Sequence, residues 1–184
     1  MKTIELINIL LEQRDCKRYQ NLDDLFELLR IYEPEDMVHA HRLNKVVRDV
    51  SVKQSKNAFL PISERERFIQ LYKRSLLFDA PIDFDAYLLY VEFDRDPDKR
   101  FYLPRRKILK DKLIRHLQDL ADDVIDILTI SMPPGTGKST AGIFFLSWLM
   151  GRNPEKCNLA SGHADGLTRG FYDGVMSIIT DPEY

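Results

Sequence analysis

Glycine is missing from the first 134 residues; all eight glycines fall between Gly135 and Gly174. A glycine-free stretch of that length offers few tight left-handed turns and reads as packed helices. Cysteine is scarce as well, with only Cys16 and Cys157. That count excludes a disulfide scaffold and metal-type spacing, and both thiols are expected to be buried in a reducing cytoplasm. His39 and His41 are two apart, on different helix faces, which disfavours a metal pair. Excess charge of one sign is absent: the net charge is −2, so any contact with a polyanion must be local. A long hydrophobic run is lacking too. The stretch from Ala141 to Met150 is about ten residues, where a bilayer span needs about 20. No signal peptide is visible, since the start is amphipathic and carries Glu5. Hydrophobic content of 44% with 30% charged residues is that of a globular protein.

What is present concentrates in one segment, Thr129-Ile130-Ser131-Met132-Pro133-Pro134-Gly135-Thr136-Gly137-Lys138-Ser139-Thr140. It follows an apolar run (Val124, Ile125, Ile127, Leu128, Ile130) and opens a second one at Ala141. A strand, a glycine-bearing loop and Lys-Ser at a helix start are what a phosphate-binding loop needs. Backbone amides of Gly135, Thr136, Gly137, Lys138, Ser139 and Thr140 would form an anion nest at the positive end of a helix. Lys138 would reach the β- and γ-phosphates, and Ser139 would hold Mg²⁺ through its hydroxyl. The pattern places glycine six residues before the lysine, and here Met132 stands there. Met132 precedes proline, which biases it to extended geometry.

Periodicity organises the rest. Ile4, Ile7 and Leu11 share a helical face. Leu22, Leu25, Phe26 and Leu29 mark a second helix with Asn21 as its N-cap. Pro34 opens a third helix, through about Asp49. Residues 51–61 read as a loop. Ser63 and Glu66 have capping-box spacing before the helix Arg67–Leu77. Asp83 caps a helix carrying Tyr87, Leu88 and Val91. Leu88 to Glu92 has the look of a strand ending in an acid, but its pattern is helical. Residues 93–100 read as a linker, and a helix from Leu103 or Pro104 carries Leu109, Leu113, Leu117 and Leu120. Strand 125–131, the loop, helix 138–150, strand 157–161 and helix 165–179 then follow. That order predicts an α/β class with a parallel sheet. The domains are expected at 1–100, helical, and 101–184, the first half of a P-loop NTPase domain. No later strand ends in the acidic residue that completes such a domain. We therefore expect the sheet to stop before its acidic strand, and the chain to be the N-terminal part of something longer or the product of an interrupted reading frame.

The segment Ile130 to Thr140 resembles the ATP-binding loop of tailed-phage terminase large subunits, the ATPases that drive DNA packaging. Phe101-Tyr102-Leu103-Pro104-Arg105-Arg106, with Leu117 to Leu120, is similar to their adenine-side segment and following helix. Asn158 to His163 and Arg169 to Tyr184 resemble the second strand and its helix. The resemblance covers roughly residues 101–184. It implies an ASCE-type ATPase using ATP and Mg²⁺, with double-stranded DNA, a small terminase subunit and a portal protein as partners. It also implies possible self-assembly on the portal, no membrane, and a bacterial cytoplasmic location with transient residence at the procapsid. Lys138 takes the catalytic role, Ser139 the metal, and Tyr102, Arg105 and Arg106 the nucleotide. Unlike many members of that family, this chain has no arginine inside the loop. Two rival readings are an AAA+ or helicase-like ATPase and a nucleotide-binding adaptor without turnover.

Three charged groups are candidate sites. Lys99, Arg100, Arg105, Arg106, Lys107, Lys110, Lys112 and Arg115 face a single acid, Asp111, in a run suited to nucleotide, DNA or solvent. Arg42, Lys45 and Arg48 form a stripe with Lys53 and Lys56. His163, Asp165 and Arg169 follow the second expected strand, where open α/β sheets bind ligands, although Asp165 also suits a helix first turn.

Overall fold

A computed structural model describes residues 3–12 and 18–181. The chain divides into two compact units at Asp79 and Ala80. The sequence reading puts the boundary later, at residue 100.

The first unit packs α1 (Thr3–Glu12), α2 (Tyr19–Tyr32), α3 (Met37–Ser55) and α4 (Ile62–Asp79). Their periodic apolar positions meet as expected: Ile7, Leu22, Leu25, Phe26, Leu29, Ala40, Val47, Phe68 and Leu71 form its core. Removing such side chains from water is the main favourable term in folding. Three boundaries differ from the sequence reading. Asn21 lies inside α2, whose N-cap is Arg18. Asp36 caps α3 by accepting from the His39 amide at 2.9 Å, so Pro34 stays in the preceding turn. That helix runs on to Ser55 through residues read as loop, because Ser51 is buried on its inner face. The Ser63–Glu66 capping box does not form. The Pro61 carbonyl accepts from the amides of Glu64 and Arg65 instead, which starts α4 at Ile62.

In the second unit, α5 (Phe84–Val91) is capped by Asp83, which accepts from the Asp85 amide at 3.0 Å. Short 3₁₀ turns at Pro97–Lys99 and Leu103–Arg105 lead into α6 (Arg106–Leu109). A π turn (Lys110–Ile114) and α7 (Arg115–Ala121) continue it. The expected linker at 93–100 is folded back by Arg100, which donates to the carbonyls of Arg95 and Phe93 at 2.8 and 3.0 Å. After the glycine loop come α8 (Lys138–Arg152) and α9 (Asp165–Ile179).

The α/β class with a parallel sheet is not what forms. Among the described residues about 70% are helix and none is strand. Segments 125–131 and 157–161 form no strand and no strand pairing among the described residues. A strand exists only when a neighbour lies about 4.8 Å away to take its amides and carbonyls. Here no neighbour does, and the apolar side chains that suggested buried strands stand in solvent: Ile127 is 83% exposed and Leu159 is 95% exposed. The helices carry most of the core, with Ala80, Phe101 and Tyr102 added from the turns between them. In α8, Ala141, Phe144, Ser147 and Trp148 are buried. Trp148 packs on Phe84 at 5.0 Å and donates from its indole nitrogen to the Ala80 carbonyl at 2.7 Å. The Tyr87 hydroxyl meets Ser147 at 2.8 Å. On its other side α8 meets α9, closely enough that a Cβ on Gly174 would lie 2.6 Å from Ile143 Cδ1.

Candidate functional site: the glycine loop before α8

Pro133, Pro134 and two glycines in left-handed geometry, Gly135 (φ +77°) and Gly137 (φ +90°), turn the chain into α8. That conformation is open to glycine at little cost and costs other L-residues about 1–2 kcal/mol. Thr136 Oγ1 donates to the Pro133 carbonyl at 2.7 Å and closes the loop on itself. Gly137 is the N-cap of α8 without a side chain to bond the helix amides. The first amide bonded into the helix is that of Ala141, to the Gly137 carbonyl at 2.9 Å. Those of Lys138, Ser139 and Thr140 form the open first turn, where helices leave donors without partners.

Lys138 is exposed, and its Nζ donates to the Met132 carbonyl at 2.6 Å. The ammonium therefore arches across the mouth of the loop. The residue that departs from the usual pattern supplies the carbonyl on which it rests. Ser139 is exposed and lines a cleft of about 590 Å³ with Ile143, Leu159, Ser161, Gly166 and Phe171. His163, Asp165 and Arg169 are exposed, and Asp165 sits in the first turn of α9.

Behind the loop stands Phe101. A Cβ on Gly137 would lie 2.2 Å from Phe101 Cε2, a distance no real Cβ tolerates. Gly137 is thus required twice, by its backbone and by this ring. Phe101 is buried and stacks on Phe144 of α8 at 6.3 Å. Its backbone is anchored by Glu92, which is fully buried. That carboxylate accepts from the amides of Phe101 (2.7 Å), Tyr102 (2.8 Å) and Leu103 (2.8 Å). A buried charge needs such partners. The helical start of the 103–121 segment provides them, and a carboxylate there suits the local dipole.

The basic run separates into distinct roles. Tyr102 is wholly buried, and its hydroxyl donates to Asp85. Arg106 makes a fork to the same carboxylate at 2.9 and 2.7 Å, and Lys110 adds a third partner at 2.8 Å. Burial alone would raise the Asp85 pKa. Hydrogen bonds from Arg106, Lys110 and Tyr102 outweigh it and hold the carboxyl well below the usual range. The phenol of Tyr102 is pushed far up by burial and by Asp85. Tyr102 therefore presents no ring face to a nucleotide, and Arg106 is already engaged. Arg105 differs. It is exposed, and its guanidinium lies over the Phe101 ring, 5.7 Å from the centroid.

In the first unit the α3 stripe also divides. Arg48 pairs with Asp79 at 3.2 Å, whereas Arg42 and Lys45 are exposed. Cys157 is exposed rather than buried, and Cys16 lies outside the described residues. No group of His, Cys, Asp or Glu able to hold a metal exists among the described residues. No helix among them is long and apolar enough to cross a membrane.

Glu92 and Phe101 as supports of the loop were missed by sequence reasoning. The contact of Glu92 with Phe101 crosses nine positions and that of Phe101 with Gly137 crosses 36, with no periodic signal to mark either. Compared with family models, with curated proteins and with solved structures, the chain has no match.

Proposed function

We propose that this chain binds magnesium-bound ATP at the loop from Met132 to Thr140. One observation carries the reading. Two left-handed glycines place an arching Lys138 over the open first turn of α8, on which Ser139 is exposed. Anionic phosphate suits such a turn, because the amides and the helix dipole both favour negative charge. Lys138 would exchange the Met132 carbonyl for a phosphate oxygen, a stronger, charge-assisted partner. The Ser139 hydroxyl would hold the magnesium ion, whose chemistry is to neutralise charge between the phosphates.

In the larger reading the loop belongs to a terminase-type ATPase. Binding and hydrolysis of ATP would drive DNA into a procapsid, with the small subunit and the portal as partners. Support for this comes from the likeness of residues 101–184 to that family's segments. The loop geometry by itself fits other P-loop ATPases equally well.

Titration with a fluorescent ATP analogue in the presence of Mg²⁺ tests the binding. Lys138→Ala should weaken it at least about tenfold, on the order of 1.4 kcal/mol. Equal curves for both proteins would refute the reading.

A further inference from the structure

Resting on the nucleotide reading above, we infer that Arg105 is a second cationic contact for the bound polyphosphate, delivered to the loop by Phe101. The loop itself has one basic side chain, Lys138, and no arginine. Of the eight basic residues between 99 and 115, several are committed elsewhere. Arg100 is spent on two backbone carbonyls. Arg106 and Lys110 are tied to buried Asp85. Arg105 makes no ion pair among the described residues, and its guanidinium rests on Phe101. The same ring abuts Gly137. The free guanidinium therefore stands one aromatic ring from the phosphate loop.

Its base is firmly placed. The three amides from Phe101 to Leu103 are bonded to Glu92, and the Arg105 amide donates to the Tyr102 carbonyl at 2.9 Å. Only the long side chain is free to move. An exposed cation resting on an aromatic ring is weakly held. A fork of N–H donors on a phosphate is considerably stronger. Arriving phosphate would thus draw Arg105 off the ring, while Phe101 keeps Gly137 and the loop in shape. Arg105 is a binding residue in this scheme, and Phe101 and Glu92 are positioning residues.

The test compares Mg²⁺-dependent binding of a fluorescent ATP analogue by the unaltered chain, Arg105→Ala, Arg105→Lys, Lys138→Ala and the double variant Lys107→Ala/Lys112→Ala. Lys107 and Lys112 are exposed members of the same basic run, further along the helix. We expect Arg105→Ala to lose about tenfold in affinity, the scale of one charge-assisted contact. Arg105→Lys should recover part of it, and the double lysine variant should bind normally. The melting temperature of Arg105→Ala should not change, because the side chain is exposed and unpaired. Normal binding by Arg105→Ala, alongside loss in Lys138→Ala, overturns the inference and leaves the loop reading intact. An equal loss in the double lysine variant also overturns it, by showing diffuse charge rather than a contact. If Lys138→Ala binds normally, the loop reading fails and this inference falls with it.

Discussion

His41 shows how one buried side chain can set a pH dependence. Its Nδ1 lies 2.8 Å from Asp79 and its Nε2 3.2 Å from Glu33, with the Phe78 ring stacked at 4.4 Å. Arg48 also faces Asp79. Burial opposes a charged imidazole, but the hydrogen bonds and charges of Asp79 and Glu33 prevail and raise its pKa above 6.5. A raised folded-state pKa means that the protonated ring stabilises the fold. That contribution is complete below 6.5 and is lost as the pH climbs through the raised value. The melting temperature, followed by far-UV circular dichroism, should fall over that window. His41→Asn should flatten the fall. A melting temperature that does not change across the window would show that folding does not raise the imidazole's pKa. Residue-scale roles such as this were not legible beforehand, because Glu33, His41 and Asp79 come from three separate stretches of chain. The lysine of the loop was legible, since its chemistry needs only its immediate neighbours.

At the scale of elements, α8 is decisive. Its sequence is apolar almost all round, which anticipates burial on more than one side. The structure meets this with Phe84 and Tyr87 of α5 on one flank and α9 on the other. Trp148 is the sole tryptophan, nearly fully buried, with its indole N–H satisfied. Trp148→Ala removes that packing and leaves the Ala80 carbonyl without its donor. It should destabilise the second unit by about 3–5 kcal/mol, the range for large core truncations. Denaturant unfolding monitored by circular dichroism measures this; a loss under about 1 kcal/mol would mean that the site is not a packed core. Element boundaries were readable where a local signal sets them. The extent of α9, 165–179, agrees with its apolar period, and Asp83 caps α5 as its position suggests. They were unreadable where burial overrides polarity, as in the last turn of α3.

For the whole molecule the sheet is the central correction. Two segments around the loop, apolar at Ile125, Ile127, Leu128 and Ile130 in one and at Leu159 and Ala160 in the other, suggested parallel strands, yet neither pairs as a strand among the described residues. The circular dichroism spectrum should accordingly be that of a helical protein, close to the 70% helix of the structure. A sizeable strand component in the spectrum would restore the sheet and refute this architecture. Strand identity depends on a partner at hydrogen-bonding distance, so propensity within one segment cannot establish it.

By itself the sequence determined what short range can determine: amphipathic helices, the cap at Asp83, and a glycine loop running into Lys138 at a helix start. The tertiary structure alone decided the matters that depend on distant partners. It withheld the pairing that would make strands, set the unit boundary at Asp79, and buried Tyr102 against Asp85. It also seated Gly137 against Phe101. Backbone torsion and helical period act over a few residues, whereas pairing, burial and ionic partnership arise only when separated segments meet.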